Sequence, residues 1–181
     1  MSRVHIVRRL AAAVAVASLM GLAACATPSR PEAMILAATP GLTAAPGDLG
    51  YRSVTSVIVS GGSDTNPLWT AQVSNEDLKI ALEGSLAAAG YMGADGRPMV
   101  VTANMVELNQ PFAGLDMSVT SRIQYSVTSD GRVVFNDTVS ATGTATMGEA
   151  FAGVERLRLA NEKSIQENIR QFITRFRANA R

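Results

Sequence analysis

The stretch Met117-Ser118-Val119-Thr120-Ser121-Arg122-Ile123-Gln124-Tyr125-Ser126-Val127-Thr128 alternates apolar and polar side chains. Met117, Val119, Ile123, Tyr125 and Val127 fall on one side, and Ser118, Thr120, Arg122, Gln124, Ser126 and Thr128 on the other. Successive side chains of a strand point to opposite faces, so this pattern predicts a strand with one dry and one wet face. Asp130-Gly131 follows. That pair suits a two-residue type I′ turn, because both central residues need positive φ. Val133, Phe135, Val139 and Ala141 then alternate with Val134, Asn136, Thr138, Ser140 and Thr142. The segment 116–143 therefore predicts an antiparallel hairpin whose hydroxyl-rich face meets water.

Two more strands lie upstream. The β-branched run 51–59 ends at Gly61-Gly62, and the run 99–108 carries apolar residues on both faces, as a central strand does. Gly61-Gly62 lacks the Lys and Ser/Thr of a phosphate-binding loop and reads as a turn. Between the strands, Leu78, Ala81, Leu82, Leu86 and Ala89 have helical spacing. Ser74 and Asp77 form a capping signal, and Gly90 suits a left-handed helix end. A long helix is expected from Glu149 to about Ala178. Its apolar stripe is Leu157, Ala160, Ile165, Ile169, Phe172, Ile173 and Phe176. Arg156, Arg158, Glu162, Lys163, Glu167, Arg170, Arg175 and Arg177 are expected on its open face, with pairs Arg158–Glu162 and Lys163–Glu167. The order β-α-β-β-β-α predicts an α+β two-layer sandwich. It comprises a four-stranded, mostly antiparallel sheet with two helices on one face, within a single domain at 51–181.

The N-terminus reads differently. Arg3, Arg8 and Arg9 precede the uncharged run 10–24. That run is shorter than the roughly 20 residues of a membrane span, and it matches the layout of a secretory leader. The segment 1–24 is thus expected to be a lipoprotein signal peptide, because Leu22-Ala23-Ala24-Cys25 resembles the bacterial lipobox and holds the chain's sole cysteine. In lipoproteins of that kind the thiol carries diacylglycerol, and several acyl chains make anchoring effectively permanent. Ala26 follows in place of the Asp that favours inner-membrane retention in enterobacterial lipoproteins. That resemblance points to the periplasmic leaflet of the outer membrane. Pro28, Pro31, Pro40 and Pro46 interrupt 26–50. With Cys25, this segment is expected to be an extended Pro/Ala-rich tether, with Met34-Ile35-Leu36 as a part able to dock.

Composition narrows the chemistry. With the three leader arginines gone, thirteen bases face fifteen acids, a net charge of about −2. No basic excess is left for nucleic acid. The single histidine, His5, lies in the leader. Beyond Cys25 the chain therefore offers no imidazole or free thiol for a nucleophilic triad or a zinc site, and no internal disulfide. No cofactor or metal is expected. The carboxylates Glu107, Asp116 and Asp137 do not share a face of one element, and the chain is expected not to be an enzyme. Trp69, Phe112 and Leu115 lie in loops and are candidate contacts for a partner protein, since such side chains recur at interface hot spots. An alternative is an apolar ligand such as a lipid held between sheet and helices, with Met99, Met105 and Met117 as adaptable lining.

The lipobox, the Pro-rich segment, the element order and the closing run Phe151-Ala152-Gly153-Val154-Glu155-Arg156 before an amphipathic helix resemble small Gram-negative envelope lipoproteins. The similarity is to YajG-like lipoproteins, to auxiliary lipoproteins of lipid-transport ABC systems and, more loosely, to the lipopolysaccharide-assembly lipoprotein. It implies a non-catalytic adaptor or accessory in envelope assembly or lipid transport. Its expected attachments are a membrane, through the lipid, and an envelope protein. Cys25 is the one residue whose role carries over.

Overall fold

The computed structural model describes residues 26–66 and 70–179. The expected leader 1–24, the candidate lipidation residue Cys25 and the candidate contact Trp69 lie outside the described residues. In chain order the elements are α1 (Pro31–Met34), β1 (Val54–Ser60), α2 (Asn75–Ala88), β2 (Met99–Asn109), β3 (Met117–Ser129), β4 (Arg132–Ala145) and α3 (Gly153–Asn179). The four strands form one sheet in the order β1-β2-β3-β4. β1 runs parallel to β2, with α2 as the crossover, and the other two pairings are antiparallel. This is the α+β sheet-and-helix architecture expected from the alternation pattern.

Local signals account for the boundaries. Ser74 caps α2 by accepting from the Asp77 amide at 3.1 Å. Gly90 takes φ +79° at its end. Asp130 and Gly131 have φ +50° and +73°, the positive pair that a type I′ turn demands. On the open face of the sheet, Ser118 meets Thr144 and Thr120 meets Thr142, each at 2.8 Å, so hydroxyl pairs replace apolar contacts there.

The helices cover the other face, α2 over β1 and α3 over β3 and β4. Leu78, Leu82, Ala103, Ile123, Tyr125, Val139, Ile165, Ile169 and Phe172 are wholly buried between the layers. The Tyr125 ring stacks on Phe172 with centroids 4.1 Å apart, and Phe135 meets both Phe172 and Phe176 edge-on. Met105 and Met117 are buried in the packing, and Met99 is a buried residue lining a cleft walled by residues 47–51, 53, 95–97, 129 and 134. The interior between sheet and helices is thus filled by side chains.

A polar row runs through this core. Ser164 Oγ donates to Ser121 Oγ at 2.8 Å, and Asn168 Nδ2 donates to Ser121 O and Val139 O at 3.2 and 3.1 Å. Tyr125 OH donates to Asn168 Oδ1 at 3.0 Å. Burial pushes the Tyr125 phenol far above its ordinary value, so it stays a donor. Gly143 makes the close approach possible: a Cβ there would lie 2.2 Å from Ser164 N and 2.5 Å from Ala160 O.

Three expectations need correction. Val133 is 63% exposed rather than on the dry face. A register shift sets Val127 opposite Phe135 but Thr128 opposite Val133, so one extra residue interrupts the alternation. Second, 26–50 is no free tether. Met34, Leu42 and Ala44 are buried, and α1 packs against both α2 and α3. Leu36 N donates to Ser85 Oγ at 3.0 Å, Ala44 N to Ala89 O at 2.8 Å, and Gln166 Nε2 to Ile35 O at 3.2 Å. Ile35 lies on Gly84, whose missing Cβ leaves it room. Prolines abolish a hydrophobic period, yet single apolar residues still find separate niches.

Third, Arg156, Arg158 and Glu162 are buried rather than on an open helix face. The docked arm lies over part of that face, with Arg30 N donating to Glu162 Oε1 at 2.9 Å. Arg158 does pair with Glu162, and with Glu155 as well. Its hydrogen bond holds the Glu155 carboxyl below the usual carboxylate range. Lys163 pairs with Glu149 and Glu167 with Arg170, instead of with each other.

Candidate functional site

β2 ends, β3 begins, β4 ends and α3 begins at one end of the sheet, since Met117 pairs with Ala145. Loops 110–116 and 146–152 therefore lie side by side. Arg156, in the first turn of α3, is 7% exposed and joins them. Its Nη1 donates to Ala150 O at 2.9 Å and Phe151 O at 2.6 Å, and its Nη2 to Gly114 O at 3.3 Å. Met147 N donates to Asp116 Oδ1 across the same gap at 3.3 Å. Thr146 N donates to Glu149 Oε2 at 3.1 Å. The Lys163 ammonium, with that Thr146 amide, holds the Glu149 carboxyl below its ordinary value.

This frame displays large apolar groups in water. Phe112 is fully exposed, Phe151 is 89% exposed and Leu115 is 74% exposed, and Met147 is partly exposed beside them. Large apolar side chains left in water on a hydrogen-bonded frame make this end of the sheet the candidate interaction surface. Beside Phe112 a cleft of about 580 Å³ is lined by Thr70, Gln72, Gln110 and Leu157 among others. Gln110 Nε2 donates to Ala71 O and to Asn161 Oδ1, each at 2.8 Å, which fixes the root of the first loop.

Phe112 and Leu115 thus stand together in solvent, while Trp69 is outside the described residues. Periodicity missed Phe151 and Met147 as part of the tip. The expected helix start at Glu149 took in Phe151, whereas α3 begins at Gly153, and the usable signal was an aromatic and a methionine flanking Gly148 ahead of that glycine. It also misread Arg156, whose partners are carbonyls that carry no sequence signature. Glu107, Asp116 and Asp137 are not brought together: Glu107 faces Arg122, Asp116 accepts from Met147, and Asp137 pairs with Arg175 at 2.9 Å. Among the described residues no group of three or more His, Cys, Asp or Glu side chains could hold a metal ion, and no helix is long and apolar enough to cross a membrane.

No protein-family model matches this chain, and no curated protein matches it in sequence. Solved structures do resemble it. A hypothetical protein from Chlamydia trachomatis superposes with TM-score 0.50 at 9% identity, over 71% of this chain and 98% of its own. A DUF330 protein from Xanthomonas campestris does so with TM-score 0.51 at 13% identity, over 80% of this chain and 95% of its own. A minor lipoprotein from Acinetobacter baumannii, at 14% identity over 71% of this chain and 92% of that one, reaches TM-score 0.44, too low to argue from. What the chain shares with the first two is the overall fold.

Proposed function

We propose that this chain is a lipid-anchored accessory protein of the Gram-negative envelope, held by an acylated Cys25 in the periplasmic leaflet of the outer membrane. It positions a partner in envelope assembly or lipid transport and catalyses nothing itself. The observation that carries this reading is Leu22-Ala23-Ala24-Cys25, the sole cysteine standing directly after a basic and then apolar leader. The ordered apolar tip supports it, because such a surface suits holding rather than reacting. The resemblance to YajG-like and transport-auxiliary lipoproteins points the same way.

Labelling with radioactive palmitate tests the anchor. Label on the wild-type chain and none on Cys25→Ser, with release of the variant from membranes, is the expected result. An unlabelled wild-type chain refutes it. Affinity purification of the acylated protein from its own envelope, followed by mass spectrometry, tests the role. An envelope protein that co-purifies in stoichiometric amount supports the adaptor reading, and a bound lipid alone supports the ligand-binding alternative.

A further inference from the structure

We infer that the tip formed by loops 110–116 and 146–152 is a second membrane contact, inserting Phe112, Leu115, Met147 and Phe151 into the bilayer interface beside the anchor. This rests on the lipoprotein reading of Cys25 and deepens it by naming what the tip touches.

The path of the N-terminal arm is the first argument. Residues 33–35 lie at Gln166, Arg30 lies at Glu162, and Ser29 N donates to Gln72 O at 3.3 Å. Traced backwards, the arm climbs α3 toward that helix's first turn, where Arg156 clasps the two loops. Gln72 in turn donates to Gln110, two residues before Phe112. Ser29 and Ala26 are both buried, so the arm is held against the body up to the residue next to Cys25. Cys25 stands four positions before Ser29, at most about 14 Å of extended chain. The acyl chains therefore emerge at the tip end of the molecule.

That reach also chooses between a bilayer and a protein. A small domain is about 30 Å across, so a leash of this length leaves no room for a protein layer between tip and membrane. The surface chemistry agrees. Residues 111–115, Pro-Phe-Ala-Gly-Leu, carry no charge. Of the acids behind them, Asp116 accepts from Met147 N and Glu149 is paired with Lys163. Aromatic and aliphatic side chains on a short uncharged loop suit the headgroup boundary, where rings settle. The Arg156 clasp orders both loops in advance, so insertion loses little conformational freedom.

The test uses the acylated chain purified from membranes and reconstituted into vesicles of phosphatidylethanolamine and phosphatidylglycerol. Acylation consumes the Cys25 thiol, so a new cysteine at an exposed position takes an environment-sensitive dye alone. Phe112→Cys and Phe151→Cys remove no core contact, and Arg132→Cys marks the opposite end of the sheet. Dye at 112 and 151 is expected to shift its emission to the blue and to be quenched several-fold by nitroxide lipids, while dye at 132 stays water-like. Vesicle-bound protein with water-like emission at 112 and 151 overturns the tip assignment and leaves the anchor standing. Emission that turns blue in native membranes but not in protein-free vesicles also overturns it, because a protein then covers the tip. Acylated chain that fails to float with the vesicles overturns both.

Discussion

Arg156→Met measures what holds the tip in place. Arg156 is 7% exposed, and its guanidinium donates to three carbonyls on two loops, Ala150 O, Phe151 O and Gly114 O, at 2.9, 2.6 and 3.3 Å. A hydrogen bond to a charged group contributes roughly 1.5–3 kcal/mol. Three such bonds overstate the loss, for two reasons. These bonds are only part-buried, so water re-solvates the freed carbonyls, and removing the cation also removes its desolvation penalty. We expect a net loss of about 2–3 kcal/mol. At roughly 2–4 °C per kcal/mol for a domain of this size, the thermal midpoint falls by about 4–12 °C. Guanidinium denaturation and calorimetry give the global number, and hydrogen exchange gives the local one. Amides in 110–116 and 146–152 should lose protection while those of β2 and β3 keep it. Arg156→Lys retains the charge but not the fork that spans two loops, and should recover less than half of the loss. An unchanged midpoint with unchanged exchange in both loops would refute the clasp, and with it the claim that the tip is pre-ordered.

Three further outcomes are expected. Gly143→Ala places a Cβ 2.2 Å from the Ser164 backbone nitrogen, which cannot yield as a flexible side chain does, so α3 must shift from β4. The expected destabilisation is about 2–3 kcal/mol by chemical denaturation, and a neutral effect would mean that the helix does not approach so closely. Asn168→Leu strips the acceptor from the buried Tyr125 hydroxyl, so Tyr125→Phe should be nearly neutral in the Asn168→Leu background while costing about 1 kcal/mol in wild type. Additive losses in that double-mutant cycle would show the bond to contribute nothing. Last, Glu155, Glu149 and Asp137 have carboxyls held below their usual range, through Arg158, Lys163 and Arg175 in that order. A depressed folded-state value means that stability is present above the unfolded-state value near 4 and is lost as pH falls through the folded-state value. The denaturation midpoint should therefore hold from neutral pH to about 5 and fall below it. Glu155→Gln should flatten part of that decline, and an equally steep decline in the variant would remove Arg158–Glu155 as its source.

The strand alternation of 117–128, the Asp130-Gly131 turn and the Ser74 cap were legible because each is set by neighbours within a few residues. One β-bulge was enough to turn Val133 outward, since alternation has no slack for an extra residue. The tip was legible in half: Phe112 and Leu115 stand out as apolar residues in a loop, but nothing local says that Phe151 shares their end of the sheet.

The sequence by itself determined the sheet, its hairpin and the two long helices, because these depend on period and turn chemistry. Tertiary structure alone decided that residues 26–50 dock on α2 and α3, that Arg156, Arg158 and Glu162 are buried, and that two loops meet under one guanidinium. The physical reason is distance along the chain. Arg30 and Glu162 are 132 residues apart, and Arg156 and Gly114 are 42 apart. Whether a charged side chain faces water or protein is set by what folds over it, and periodicity reports only on the segment that carries it.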